Sequence, residues 1–230
     1  MVEMERPPGK IVYHRPDARW GNARGERVYG TPCGDLPSVT TVLRATGSEA
    51  DKAGIERWKE RVGPLEAERT RKAAADRGNR LHDALDKYLG DPFLQPCDVQ
   101  PTGDSWWDSV VSFVRDIETV HLSEGAVWHP RALYAGTLDL LATIRGKLVL
   151  VDWKTASKPK RREWIGDYEI QCAAYAAAVR ALFGVDLGLA AIVVALDDRP
   201  AQVFWLDQER LAAAWGNFLV RLAAFRGARG

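Results

Sequence analysis

The chain has 230 residues, 46% of them hydrophobic and 27% charged, with a formal net charge of +1. That profile is ordinary for a globular protein with one sizeable core, and it excludes a uniformly basic nucleic-acid binder, so any basic surface must be local. Three dispersed cysteines, Cys33, Cys97 and Cys172, lack CxxC spacing and exclude a disulfide framework, a zinc ribbon or a four-cysteine iron–sulphur cluster.

Residues 1–37 are rich in Pro, Gly and Arg and read as an irregular arm, with strand-like pieces at Ile11–Tyr13 and Arg27–Tyr29. The opening residues contain no apolar leader, and no segment approaches about 18 uninterrupted apolar residues, so a cytoplasmic, reducing setting without a membrane span is expected. A short helix begins after Ser38, a good N-cap, and stops at Gly47. A second runs from Asp51 to Val62, closed by Gly63-Pro64, and a long third from Leu65 to Leu89. On that third helix Gly78, Leu81, His82, Leu85, Tyr88 and Leu89 share one face at the 3.6 period, which places His82 on the inward stripe. Gly78 there predicts close approach of another backbone.

After a Pro-containing loop, a fourth helix is predicted over about 105–121, with Trp107, Val110, Val111, Val114 and Ile117 inward. The pattern then changes to strands: Ala126–His129, Leu133–Ile144, a turn at Arg145-Gly146-Lys147, and Leu148–Lys154. A basic loop, Thr155–Gly166, leads to a helix over Tyr168–Phe183. Strands at Leu189–Leu196 and Ala201–Leu206 follow, and Asp207 caps a final helix with Leu211, Phe218, Leu219, Leu222 and Phe225 inward. The organisation expected is a helical region over 38–122 and a sheet-bearing core over 123–230, forming one compact unit.

The chemistry concentrates in GTLDLLATIRGKLVLVDWK, residues 136–154. Side chains alternate along a strand, so Asp152 and Lys154 point the same way while Val151 and Trp153 point oppositely. Asp139 on the partner strand can join them. Two close carboxylates repel unless a cation lies between them, and oxygen ligands of this kind suit magnesium or manganese. Such an ion can activate water and stabilise the leaving oxygen of a phosphodiester, with Lys154 orienting the attacking water or balancing charge on the phosphate. An exposed edge pair would give the same Asp-x-Lys pattern.

The neighbouring segments favour the site. Gln171 and Tyr175 are one helical turn apart, on the face that also carries Tyr168. The run Lys158-Pro159-Lys160-Arg161-Arg162 follows Lys154 directly, which favours phosphate contact over a merely solvated loop. Trp164 lies in that loop and is the best candidate for stacking a base. Trp106 and Trp107 are assigned to the core.

Three ordered motifs carry a resemblance: Gly136-Thr137-Leu138-Asp139, then Asp152-Trp153-Lys154, then Gln171 with Tyr175. Together they resemble the PD-(D/E)XK nuclease superfamily in its RecB-like branch of phage and bacterial exonucleases. Upstream, Gly78 to His82 looks like that branch's G-x-x-x-H helix, and Pro37-Ser38-Val39-Thr40 like a motif near the start of many members. The resemblance implies an α/β (α+β) fold with a restriction-endonuclease-like core, a mixed central β-sheet flanked by helices, preceded by a helical region that shapes a DNA channel. It implies that Asp139 and Asp152 hold one or two Mg²⁺ or Mn²⁺ ions, with the Trp153 carbonyl and His82 as further ligands, and that Lys154 is the catalytic lysine. Gln171 and Tyr175 would contact DNA near the scissile phosphate. Glu124 is a further candidate matching an acidic residue near the first core strand in relatives, and Asp86, one turn after His82, is another.

The activity so implied is DNA exonuclease cleavage at single-stranded or flap ends, in recombination, repair or phage DNA metabolism. A λ-exonuclease-like enzyme resecting duplex ends and an inactive DNA-binding module are the alternatives, and the intact set Asp139, Asp152 and Lys154 argues against the second.

Overall fold

A computed structural model describes residues 18–20 and 26–229, with side chains over 26–49 and 52–229. The strand-like piece expected at Ile11–Tyr13 lies outside the described residues. The expected irregular arm is, where described, a small antiparallel sheet of β1 (Ala18–Trp20), β2 (Arg27–Thr31) and β3 (Gly34–Pro37). Short strands without long apolar runs give little local signal, and here Tyr29 and Leu36 on paired positions supply the burial.

Ser38 then caps α1 (Val39–Ala45), its hydroxyl accepting from Thr41 N–H. The helices α2 (Glu49–Val62) and α3 (Pro64–Leu89) follow. The first half of α3 is mostly exposed, and only further along do Leu81, Leu85 and Leu89 enter a core. Gly78 is not squeezed by backbone: the nearest atom to a Cβ placed there is Thr155 Oγ1, at 3.9 Å, an ordinary contact.

Helix α4 (Ser105–Arg115) is capped by Asp104, which accepts from the Trp106 and Trp107 amides. It stops six residues short of the expected end at His121. Strand β4 (Ile117–His129) begins almost at once. The apolar spacing through Ile117 is compatible with a helix, but pairing with β5 (Tyr134–Ile144) along most of its length claims those backbone groups instead. The rest alternates as β6 (Lys147–Ala156), α5 (Gly166–Phe183), β7 (Leu189–Leu196), β8 (Arg199–Asp207) and α6 (Gln208–Gly227).

The five strands run in the order β4-β5-β6-β7-β8. Only β6 and β7 are parallel, joined by α5 as their crossover. One sheet face packs on α1, α5 and α6 through residues such as Leu150, Ile192, Cys172 and Phe218. The other packs on α3 and α4 through Val151, Trp153, Val193, Leu85 and Val114. This mixed sheet between helical layers is the restriction-endonuclease-like arrangement that the resemblance implies. In α6, Leu211, Phe218, Leu222 and Phe225 are buried as expected, but Leu219 is 40% exposed, because it lies one residue round the helix from the stripe through Phe218.

Two arginines, one on α6 and one just past it, bind the two ends of the fold together. Arg221 donates to Thr46 Oγ1 at 2.9 Å and to the Leu43 carbonyl and Asp167 carboxylate. Just beyond α6, Arg229 makes a two-pronged ion pair with Glu26. Among the described residues no helix is long and apolar enough to cross a membrane.

Candidate active site

The β5–β6 ladder runs from Ile144–Lys147 to Leu140–Val151 and ends there. At the next position a side chain replaces backbone: Asp139 Oδ2 accepts from the Trp153 N–H at 2.7 Å. Meanwhile β6 continues its parallel pairing with β7 through Asp152, Trp153 and Lys154. The two strands therefore part where the acidic residues stand. Trp153 anchors this point from the opposite face, 1% exposed and edge-on to Phe113 at 5.5 Å.

Asp139 is 8% and Asp152 1% exposed. Asp152 Oδ1 accepts from Gln171 Nε2 at 3.0 Å. Its Oδ2 lies 2.5 Å from Lys154 Nζ, a buried ion pair at contact distance. Lys154 Nζ also donates to the Trp153 carbonyl at 3.3 Å and sits 5.1 Å from the centre of the Tyr168 ring.

Two further groups close the site. Glu124 lies on β4 between the pairs Ser123–Leu140 and Gly125–Leu138, which puts it level with Asp139. Its φ of 44° is a left-handed conformation that is strained for glutamate. His82, from α3, has Nδ1 3.2 Å from Glu124 Oε1 and Nε2 3.0 Å from the Trp153 carbonyl oxygen. Both partners are acceptors, so both ring nitrogens carry protons and the ring is an imidazolium. Nδ1 is also 3.7 Å from Asp139 Oδ1.

Electrostatics agree with that assignment. Burial alone would lower the His82 pKa, but the Glu124 hydrogen bond and the charge on Asp139 outweigh it and hold the ring up to about 9. Burial raises Asp152 to about 6 against the opposing pull of Lys154, and raises Asp139 as well, opposed by Lys154 and His82. Burial disfavours the Lys154 ammonium, yet Asp152 and Asp139 overcome it and keep its pKa above the usual range.

This donor set fits a divalent cation. Ligand atoms of His82, Glu124 and Asp139 all lie within 4.8 Å of one another, and Asp152 adds a second buried carboxylate beside them. Carboxylates, a carbonyl and one imidazole suit magnesium or manganese. Among these residues the His82 imidazolium supplies positive charge to Glu124 and Asp139.

A family model described as the PD-(D/E)XK nuclease superfamily matches residues 107–225, just over half of the chain. The chain belongs to the PD-(D/E)XK nuclease superfamily. It is 33% identical over 201 residues to mitochondrial genome maintenance exonuclease 1 of Homo sapiens, covering 83% of this chain and 58% of that protein. The counterpart in Mus musculus is 34% identical over 204 residues, at 83% and 59% coverage, and that in Xenopus tropicalis 33% over 205 residues, at 84% and 58%. The chain thus spans just under three-fifths of the length of these relatives.

In this PD-(D/E)XK chain the residues read from sequence fall into three groups. Asp139, Asp152, Lys154, His82, Glu124 and the Trp153 carbonyl converge at the parted strands. Gln171 and Tyr175 reach them indirectly: Gln171 holds Asp152 and lies 3.4 Å from the Tyr175 hydroxyl. Tyr175 is only 3% exposed, so it supports Gln171 from below rather than presenting a surface for DNA. Asp86 likewise acts at one remove, accepting from Ser123 Oγ at 2.7 Å and fastening the residue before Glu124.

The basic loop forms the third group. Lys158, Arg161 and Trp164 are exposed, with the Arg161 guanidinium 5.4 Å from the Trp164 ring. Arg162 is not a free cation: it pairs with Glu169 at 2.9 Å and donates to the Trp205 carbonyl. The Lys160 backbone is bound at both N–H and carbonyl by the Gln202 amide, at 2.8 Å each, so this part of the loop is fixed to β8. Trp106 and Trp107, assigned to the core, do pack against it, but both are only partly buried and their other side lines a cavity. Two contributions had weak sequence signals. Ser123 has none, and Gly136 has only the G-x-x-D pattern. A Cβ on Gly136 would lie 2.5 Å from Tyr175 Cε1, so the glycine makes room for the ring that supports Gln171.

Proposed function

We propose that this chain is a metal-dependent exonuclease that hydrolyses phosphodiester bonds at free DNA ends, on single-stranded or flap substrates, in DNA recombination, repair or phage DNA metabolism. The observation that carries this reading is the pair of buried carboxylates where β5 and β6 part, Asp152 in contact with Lys154 and Asp139 holding the Trp153 amide. Such a constellation is costly to keep in a fold and suits binding of a cation together with an anionic phosphate.

Asp139, Asp152, Glu124, the Trp153 carbonyl and His82, after loss of a ring proton, would hold Mg²⁺ or Mn²⁺. When bound, the ion would lower the pKa of water and neutralise charge on the phosphoryl oxygens. Lys154 acts as a fixed cation, because the neighbouring carboxylates keep it protonated. Its ammonium can orient the attacking water by hydrogen bonding and balance charge gathering on the phosphate. Gln171 holds Asp152 in one orientation, and Tyr168 limits the motion of the ammonium. The exposed Lys158 and Arg161 attract the DNA backbone. The names of the relatives support the exonuclease class, and the complete acidic and lysine set argues against an inactive DNA-binding module.

The test uses end-labelled single-stranded, duplex and flap DNA, with closed circular DNA as control, in Mg²⁺ or Mn²⁺. Loss of label from linear single strands and flaps, with circles intact and EDTA abolishing the reaction, is expected. Cleavage of circles would make it an endonuclease. No cleavage of any substrate with either metal would reject the nuclease reading.

A further inference from the structure

Away from the carboxylates, α3, α4 and the loop between them enclose a cavity of about 300 Å³, at the small end of ligand sites. Its lining includes Arg77, Arg80, Lys87, Tyr88, Trp106 and Trp107. We propose that this cavity receives an unpaired nucleobase of the DNA strand whose end is cut at the acidic centre; the proposal rests on the nuclease reading above.

Part of the wall is rigid. Trp107 meets Tyr88 edge-on at 5.6 Å, its indole N–H donates to the Gln100 carbonyl, and the Tyr88 hydroxyl donates to the Gln95 carbonyl. These aromatic surfaces are held in place before any ligand arrives, which lowers the entropy lost on binding. The opposite contributor is less settled. The Arg77 guanidinium lies 5.1 Å from the centre of the Trp106 ring, and both Arg77 Nε and Trp106 Nε1 are covered without an acceptor. A covered donor with no acceptor calls for an explanation. Both atoms are donors without exposed surface, so a ligand reaches them only when Arg77 lifts off the Trp106 ring, and it then meets them with acceptors such as base carbonyls, ring nitrogens or phosphate oxygens.

Charge points the same way. Arg80 and Lys87 are exposed and pair with no carboxylate among the described residues. The cavity's two acids are engaged with backbone: Asp104 caps α4 and Asp91 accepts from the Phe93 amide. A flat ligand with an attached anion satisfies both the aromatic wall and the cationic border, and base stacking on such walls tolerates any sequence.

Placement links the cavity to the centre. Arg77 lies about 7–8 Å from His82 along the axis of α3 and about 140° around it, while its neighbour Gly78 shares the His82 face. Gly78, next to Arg77, faces Thr155, the residue after Lys154. Ser105, just before Trp106, donates to Asp197 at the end of β7. These two contacts set α3 and α4, and the cavity between them, against the carboxyl ends of β6 and β7, the end of the sheet at which Asp152 stands.

The experiment scans a fluorescent single-stranded oligonucleotide with one abasic site at each successive position from its end. Binding to the full chain is read by fluorescence anisotropy in EDTA, and cleavage is measured separately with Mn²⁺. One position should lose affinity by about five- to tenfold when its base is removed, and Trp106→Leu and Arg77→Met should each erase that dependence. Arg77→Met keeps the side-chain stem, so it decides the matter if Trp106→Leu fails to fold, as checked by thermal melting. Equal affinity at every abasic position, or a positional dependence that survives Arg77→Met, overturns the proposal; the latter result leaves the cavity to another class of partner. Absence of cleavage by the wild type refutes the nuclease reading, and it does so independently of the binding scan.

Discussion

The β5–β6 hairpin has two ends made from the same backbone geometry, and they treat charge in opposite ways. At the turn, Arg145 and Gly146 take left-handed φ values of 50° and 68°. Arg145 pairs with Asp116 at 2.8 Å, and the Gly146 amide donates to Glu118. Every charge there is at least partly in water, and the ladder is complete up to the turn. At the other end the ladder stops and two carboxylates are buried with Lys154 and His82 beside them. The difference teaches where this fold gives up stability: exposed pairs contribute little, whereas buried charges, costly to desolvate, persist where a ligand is to use them.

That contrast can be broken by substitution at either end. The largest effect expected is at the open end, where Asp152→Asn or Lys154→Ala should reduce cleavage of a labelled single strand by on the order of 10³-fold with the fold retained by circular dichroism. Cleavage surviving both changes would remove the distinction between the ends.

The charged histidine sharpens it next. His82 stands at about 9 when folded against 6.5 when unfolded. A raised pKa contributes stability that is fully present below 6.5 and is lost as pH rises through 9. In EDTA, the stability advantage of wild type over His82→Gln in urea titrations should shrink by about 1–3 kcal/mol between pH 6 and pH 9.5. A constant difference would mean that His82 is not the cation at this end. Comparable in size is Gly136→Ala, which drives a methyl group into Tyr175 and should lower stability by about 1–3 kcal/mol, read as a fall in melting temperature.

Gln171→Ala should slow turnover about tenfold by freeing Asp152. It should also move the acidic limb of the pH–rate profile upward, since the carboxylate loses a donor that favours its charged form. An unmoved limb would detach Gln171 from Asp152. At the turn, Arg145→Ala should change stability by less than about 0.5 kcal/mol and leave cleavage untouched. A large loss there would show that the two ends are not separate in their energetics.

Much of the open end was legible because strand alternation fixes which residues share a face. Asp152 and Lys154 had to lie together, and the helical period put His82 on the buried stripe of α3. Glu124 was less legible because its strand was only half seen. The residues before Ala126 continue the apolar spacing of α4, and what makes them a strand is pairing with β5, a partner distant in sequence. The same reason hid the small sheet of β1, β2 and β3. The basic run Lys158–Arg162 read as uniformly free, but charge composition cannot reveal that Glu169 claims Arg162 or that Gln202 grips the Lys160 backbone. Nor can helical spacing tell a DNA contact from a buried prop, as with Tyr175.

Arg221 and Arg229 have a consequence for how the chain is made. Glu26 and Arg229 are 203 positions apart, and a ribosome adding about 5–20 residues per second separates their synthesis by about 10–40 s. Throughout that interval the Arg221 contacts that hold the carboxyl end of α1, and the Glu26–Arg229 ion pair, have yet to form. The amino-terminal elements must therefore wait, exposed to chaperones and proteases, until the last helix leaves the exit tunnel and fastens them.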